Sequence, residues 1–258
     1  MSVNFSAMTF NMQFGQRWDP RDPDKAPIHL SGTIDFLRAH PHDIYFFQEV
    51  ERAQPLGAQV EPPPNFIKLK SAMDGYHAVF AYPKINPDEL PFGIALAIFS
   101  RWPIIGFEAC DLPPAEVAFE FEGQPKRASH RQLLKAKTEI AGRELVLFNT
   151  HLQAFFMIGA SSNEHRKQRD LVEQSIRETN APALLAGDFN CTPEEKIVDQ
   201  FGQAGFRTAQ DETITWRRMP YVTDHLFFNR GLIASDCKVI ETDCSDHHPV
   251  SSTFTFAD

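Results

Sequence analysis

Cysteine is sparse in this 258-residue sequence, and the four present, Cys110, Cys191, Cys237 and Cys244, form no CxxC pair and no zinc-ligand spacing. That excludes a disulfide-stapled scaffold and a cysteine-rich zinc module. Cys237 and Cys244 would pair only if adjacent strands brought them together, so free buried thiols are the expectation. Long apolar runs are missing too: none approaches the ~20 residues that cross a bilayer. Met1-Ser2-Val3-Asn4-Phe5 enters a strand pattern without a basic n-region, an apolar h-region or a cleavage site. A soluble, cytoplasmic protein without a transmembrane segment is expected, and no feature points to a protein partner. Positive charge is in deficit, with 25 Lys plus Arg against 34 Asp plus Glu and a net charge of −9. Such a chain does not grip nucleic acid through a broad basic face, although a metal site still recruits one phosphate locally. Tandem repeats, low-complexity tracts and an inter-domain linker are also lacking.

What the chain has in quantity is phenylalanine, 23 residues within a hydrophobic content of 42%. A chain of this length buries roughly three-quarters of its unfolded surface, so residues 1–258 are read as one domain. Its organising stretch is Leu184-Leu185-Ala186-Gly187, an apolar run that ends in Asp188-Phe189-Asn190. This is the pattern of a buried strand whose polar end emerges into a site. Met8-Thr9-Phe10 likewise ends in Asn11, Ile44-Tyr45-Phe46-Phe47 in Gln48-Glu49, and Leu145-Val146-Leu147-Phe148 in Asn149-Thr150-His151. Thr223-Asp224-His225 and Ser245-Asp246-His247-His248 instead precede apolar runs. Four strands ending polar and two beginning polar meet at one sheet edge in this reading.

In chain order, strands are expected over 2–11, 43–49, 76–82 and 93–100, with 103–110 completing a hairpin through Arg101-Trp102. A helix opened by Pro27 carries Leu30, Ile34 and Leu37 on one stripe. Residues 51–70 and 111–127 show no period and read as long excursions near the site. Residues 132–140 and 144–151 form a hairpin about Ala141-Gly142-Arg143. A helix starts near Ser161, where Ser161-x-x-Glu164 fits a capping box, and buries Leu171, Val172 and Ile176. A short helix from Pro193 and three or four C-terminal strands close the chain. Hairpins mixed with few helices argue for sandwich layers over a parallel doubly wound sheet.

Asn11 at a strand end, Gln48-Glu49-Val50, Asn149-Thr150-His151-Leu152, Gly187-Asp188-Phe189-Asn190, Thr223-Asp224-His225 and Ser245-Asp246-His247 occur in this order. Together they resemble the endonuclease/exonuclease/phosphatase family of deoxyribonuclease I-like phosphoesterases, over nearly the whole chain. The resemblance implies an α/β fold, a four-layer α/β/β/α sandwich of two packed mixed sheets flanked by helices. It also implies hydrolysis of phosphoester bonds with Mg²⁺ or Mn²⁺. Glu49 becomes the principal metal ligand, supported by Asn11 and by Asp246. Asp188 orients an attacking water, Asn190 contacts a phosphate oxygen, and His247, steadied by Asp224, contacts the phosphate or carries a proton. His151 lies near the leaving group, and Arg131 is a phosphate contact with Arg127 as fallback. His248 is expected to pack or cap the strand. Abasic-site enzymes of the family tend to carry an acid two residues after the early asparagine; Gln13 occupies that position and counts against that activity.

A nuclease-like phosphodiesterase leads, with a sphingomyelinase-like enzyme or an inositol-phosphate phosphatase as the alternative. The substrate is thus a nucleic acid, a phospholipid head group or a small phosphodiester. A non-catalytic binding module on the same fold is the remote reading, disfavoured because every expected position is filled. Phe155-Phe156-Met157-Ile158 and Trp216 read first as packing residues, and second as an apolar wall for a substrate.

Overall fold

A computed structural model describes residues 3–51, 60–83, 86, 88–90 and 95–257. In chain order the elements are β1 (Asn4–Asn11), α1 (Leu30–Ala39), β2 (Ile44–Gln48), α2 (Pro64–Ala72), β3 (His77–Ala81) and β4 (Leu96–Ser100). Next come β5 (Ile104–Leu112), β6 (Ala118–Phe121), β7 (Gln124–Arg127), β8 (Arg131–Ile140) and β9 (Arg143–His151). The C-terminal part holds α3 (Lys167–Arg177), β10 (Ala183–Asp188), α4 (Ile197–Gln203), β11 (Phe206–Thr208), β12 (Asp224–Asn229), β13 (Leu232–Val239) and β14 (Val250–Phe256).

Two six-stranded sheets result, ordered β13-β14-β1-β2-β4-β3 and β11-β12-β10-β9-β8-β5. Both are mixed, because β1 runs parallel to β2 and β10 to β9 while their other neighbours are antiparallel. Phe5, Ala7, Ile44, Phe46 and Ile98 of the first sheet pack against Leu134, Ala136, Leu147, Leu184 and Leu226 of the second. The opposite faces are also apolar. Met8, Phe10, Tyr45, Phe47 and Phe99 lie under Leu30, Leu37 and Leu69 of the first two helices. Val146, Phe148, Leu185 and Phe227 lie under Val172, Ile176 and Phe201 of the last two. Burial on both faces explains why the strands read as continuous apolar runs. It produces the α/β/β/α sandwich expected from the resemblance. Phe46 is fully buried between the sheets, and Phe46→Ala would cost about 3–5 kcal/mol.

Several local expectations fail for identifiable reasons. The 103–110 hairpin does not form: β4 belongs to the first sheet, while β5 pairs with β8 in the second. Arg101-Trp102-Pro103 carries the chain between them, with Trp102 packed on the inter-sheet core and the Pro103 carbonyl accepting from Thr138 Oγ1 at 2.9 Å. The 51–70 excursion contains α2, begun by Pro64 at its first turn; its only buried side chain is Leu69, too little for a visible stripe. Positions 52–59, and 93–94 of the expected 93–100 strand, lie outside the described residues. The 111–127 excursion is partly a hairpin, β6–β7, turning at Glu122 and Gly123 with positive φ. The Ser161 capping box is absent: α3 starts at Lys167, and Ser161 Oγ donates instead to Glu195 Oε1 at 2.8 Å. The box that does form joins Thr192 and Glu195. On α3, Val172 and Ile176 are buried, but Leu171 is exposed. All four cysteines are free, Cys110 is exposed, and Cys237 and Cys244 do not pair. No helix among the described residues is long and apolar enough to cross a membrane.

Candidate active site

The topology gathers the polar strand ends. Because β1 and β2 are parallel, Asn11 registers with Gln48 and leaves Glu49 beside it. Because β9 and β10 are parallel, Asp188 registers with His151. The antiparallel β12 brings its first residue, Asp224, opposite Asp188. Gly187 permits the close approach of β10 to β9, since a Cβ there would run into the Thr150 carbonyl oxygen. A buried amide pair ties the two sheets beneath this edge. Gln48 Nε2 donates to Asn149 Oδ1 at 2.7 Å, and Asn149 Nδ2 donates to the Phe47 and Ala97 carbonyls at 2.9 and 3.0 Å.

Asn11 sits at the centre. Its Nδ2 lies 3.1 Å from Glu49 Oε1, 3.0 Å from Asp188 Oδ2 and 3.5 Å from His247 Nε2. The backbone N–H of Gln13 donates to Asn11 Oδ1 at 3.1 Å. His247 Nδ1 donates to Asp224 Oδ2 at 2.8 Å, which turns Nε2 toward Asp188 Oδ2 at 3.6 Å and Asp246 Oδ1 at 4.0 Å. His151 Nε2 faces the same Asp188 oxygen at 3.5 Å and Glu49 Oε1 at 3.9 Å. Asn190 N–H donates to Asp188 Oδ1 at 2.9 Å, while Asn190 Nδ2 donates to the Leu152 carbonyl at 3.0 Å. Gln13, Phe14, Glu49 and Asn190 all take the left-handed conformation, with φ of 41°, 46°, 49° and 47°. Backbone strain of this kind, on the order of 1–2 kcal/mol per residue, clusters at functional sites.

Every residue expected at the site is therefore near this edge, with Arg131 buried at the start of β8. Its Nη2 donates to Gln153 Oε1 at 3.3 Å, whereas its Nε and Nη1 have no partner among the described residues. Arg127 is exposed on the β6–β7 hairpin. His248 Nδ1 accepts from the Thr242 N–H at 3.2 Å, a packing role as expected. Trp216 is buried with its ring centroid 6.2 Å from that of His247, and Phe156 packs on Trp216 and Tyr221 at 5.4 and 5.5 Å. Sequence reasoning missed Arg218, Gln153 and Thr215. Arg218 Nε donates to Asp246 Oδ2 at 2.5 Å. The Thr215 hydroxyl accepts from the Thr223 and Asp224 N–H groups at 3.0 and 3.1 Å.

A model of the endonuclease/exonuclease/phosphatase family matches residues 8–247. The chain belongs to that family. Its members are phosphoester hydrolases, which supports a hydrolase here. A UPF0294 protein of Vibrio campbellii is 30% identical over 122 residues, 45% of this chain and 42% of that protein. The chain thus matches less than half the length of this curated relative. The crystal structure of an endonuclease/exonuclease/phosphatase from Beutenbergia cavernae is similar in fold, with a TM-score of 0.72 at 20% identity over 98% of this chain and 72% of that one. The fold is also similar to that of D. rerio TDP2 complexed with single strand DNA product. That TM-score is 0.67 at 21% identity, over 98% of this chain and 99% of that one.

Charge in this family member's pocket is unbalanced toward the carboxylates. Burial, then the neighbouring Asp246, pushes the Glu49 carboxyl up to about 7. Burial raises Asp188 as well, against the pull of His247. His247 is raised despite its burial, because Asp224, Asp188 and Asp246 surround it, so the imidazolium persists at neutral pH. His151 moves the other way: burial and then Arg131 lower it well below the usual histidine range, so it is neutral there. Asp188, Asp224 and His247 offer donor atoms within 4.8 Å of one another. The 2.8 Å His247–Asp224 hydrogen bond, however, already fills the space between two of them. Glu49, with Asp246 beside it and Asn11 adjacent, forms the oxygen-rich set that suits a hard divalent cation. Burial and the like charge of Asp246, which together hold the Glu49 carboxyl near 7, are both offset by such an ion, so the residues fit one.

Proposed function

We propose that this chain, acting as one domain over residues 1–258, is a divalent-cation-dependent phosphodiesterase of nuclease-like type. The observation that supports it most is the meeting of Asn11, Glu49, His151, Asp188, Asp224 and His247 within hydrogen-bonding reach. These residue types are what hydrolysis of a phosphodiester requires: charge neutralisation, a positioned water and a stabilised leaving group. Mg²⁺ or Mn²⁺ held by Glu49, with Asp246 and Asn11, would neutralise charge on the non-bridging oxygens.

The remaining steps belong to the protein's own groups. Asp188 Oδ1 is tied to the Asn190 N–H, so Oδ2 faces the pocket and can accept a proton from water attacking phosphorus. The water oxygen bonds to phosphorus as the ester oxygen leaves. His247 holds a phosphate oxygen as an imidazolium, with Asp224 fixing its tautomer and stabilising its charge. Neutral His151 offers an N–H hydrogen bond to the leaving oxygen, which takes its proton from solvent, and the Arg131 N–H groups that have no partner among the described residues receive a phosphate oxygen. Asn190 spends one N–H on Leu152, so it contributes to the phosphate only through the other.

The cluster of Phe156, Trp216 and Tyr221 beside His247 favours a second reading, a sphingomyelinase-like enzyme whose apolar wall receives a lipid. A cytoplasmic setting belongs to the nuclease-like proposal. The deciding experiment is a Mg²⁺-dependent assay on plasmid DNA, RNA, abasic DNA, sphingomyelin and inositol phosphates. Cleavage of DNA or RNA supports the first reading, and turnover confined to sphingomyelin replaces it with the second. No turnover of any phosphoester would refute both.

A further inference from the structure

Arg218 lies in the connection between β11 and β12 and carries three separate hydrogen bonds. Nε donates to Asp246 Oδ2 at 2.5 Å and Nη1 to Asp24 Oδ1 at 2.6 Å. In the Gln13 amide orientation that satisfies both its ends, Nη2 donates to Gln13 Oε1 at 3.1 Å, and Gln13 Nε2 donates to Asp246 Oδ1 at 3.0 Å. The main chain adds a fourth tie, Arg217 N–H to the Asp246 carbonyl at 2.9 Å. Arg217 itself donates to the Thr242 carbonyl and Asp243 Oδ1, at 2.7 and 2.8 Å, and lies 5.0 Å over the Trp18 ring. Three loops, around residues 13–24, 217–218 and 242–246, are thus pinned about one carboxylate.

We propose that Arg218, with Gln13, is a positioning clamp for Asp246. It fixes the carboxylate plane by holding Oδ2 and directs Oδ1 toward the pocket, where it faces His247 Nε2 at 4.0 Å. An unheld aspartate would turn away from Glu49, whose carboxyl it already perturbs by like charge. A planar guanidinium serves three acceptors at fixed angles, which a lysine ammonium cannot. The position two residues after Asn11 takes on a purpose here. An acid there would face Asp246, whereas the Gln13 amide donates to it, and its left-handed backbone holds it in place. The inference rests on the cation-dependent reading above and concerns Asp246 as support for that cation.

Mn²⁺ titration calorimetry on wild type, Arg218→Ala, Arg218→Lys and Gln13→Leu, with melting temperatures alongside, tests it. Two effects oppose each other in Arg218→Ala. Coulomb's law alone predicts tighter binding once a positive charge is removed from beside the site. Loss of positioning predicts weaker binding, by roughly 10–100-fold as for other supports of metal ligands. The clamp predicts the weaker binding, nearly as great a loss in Arg218→Lys, and a smaller one in Gln13→Leu. Millimolar guanidinium should restore Arg218→Ala but not Arg218→Lys, against an equal concentration of sodium chloride. If Arg218→Ala fails to fold, Arg218→Lys and Gln13→Leu carry the test. Wild-type binding with equal or tighter binding in the Arg218 variants overturns the clamp alone. A wild-type protein that binds no Mn²⁺ overturns the cation-dependent reading and the clamp with it.

Discussion

Two arginines border the pocket in opposite states. Arg131 is buried with one 3.3 Å hydrogen bond, and its Nε and Nη1 have no partner among the described residues. Burial pulls its pKa down to about 10. Arg218 is half-buried with each of its three nitrogens engaged, and although burial opposes its charge, Asp24 and Asp246 raise its pKa. A buried donor without a partner is costly in a folded protein unless something else is meant to satisfy it. The contrast is what the two proposed roles call for, Arg131 open to a substrate and Arg218 committed to the protein.

The chemistry between them should be the most sensitive to substitution. His247→Gln is expected to lower kcat for bis-p-nitrophenyl phosphate by roughly 10²–10³-fold, the span seen when a donor to developing negative charge is lost; retained turnover would remove His247 from the mechanism. Glutamine is preferable to alanine, because its amide can still donate to the buried Asp224, whose Oδ1 already lacks a partner among the described residues, whereas alanine removes the hydrogen bond together with the counter-charge. Breaking a buried pair in that way costs about 3–5 kcal/mol.

Substituting the two arginines sharpens the contrast directly. Arg131→Met should raise KM roughly 10–100-fold by loss of a charge-assisted phosphate contact while the melting temperature stays equal or rises. Arg218→Met should lower the melting temperature, because Asp246 and Asp24 lose their partner. Calorimetric melts with opposite signs support the distinction, and two equal decreases contradict it.

A smaller effect concerns Glu49. Its folded carboxyl titrates near 7, above the ordinary value of 4.5, so the folded cation-free state binds more protons than the unfolded one between those values. Stability contributed by this group is therefore present below about pH 4.5 and is lost as pH rises toward 7. Glu49→Gln should stabilise the cation-free protein at pH 8 by on the order of 2 kcal/mol, and change little at pH 4.5. Urea melts at both pH values measure this; stabilisation of equal size at each would contradict the raised pKa. Protons compete for the same carboxylate, so Mn²⁺ should bind more weakly at pH 6 than at pH 8 in wild type.

Much of this site was legible because its residues sit where apolar runs end, as Asn11, Glu49, His151 and Asp188 do. Strand periodicity and a parallel pairing convert that pattern into one edge. Sandwich layers were legible in the hairpins mixed with few helices, and their four-layer order only through the family resemblance; the structure supplies the physical reason, since strands apolar on both faces need helices outside. Other features depend on distant partners. Arg218 reaches Asp246 across 28 positions and Asp24 across 194, and no local pattern marks such pairs. The path of β5 was hidden because its partner, β8, is chosen by the second sheet and not by the adjacent turn. Helix α2 was hidden because it buries a single leucine.

The central claim is that these strand ends form one cation-dependent hydrolytic site. The most direct measurement is the rate of p-nitrophenol release from bis-p-nitrophenyl phosphate by wild type and Glu49→Gln, with Mg²⁺ and with excess chelator. The account predicts release by wild type with Mg²⁺ that chelator abolishes and Glu49→Gln lacks. Equal rates with Mg²⁺ and chelator, or an unimpaired Glu49→Gln, would contradict it.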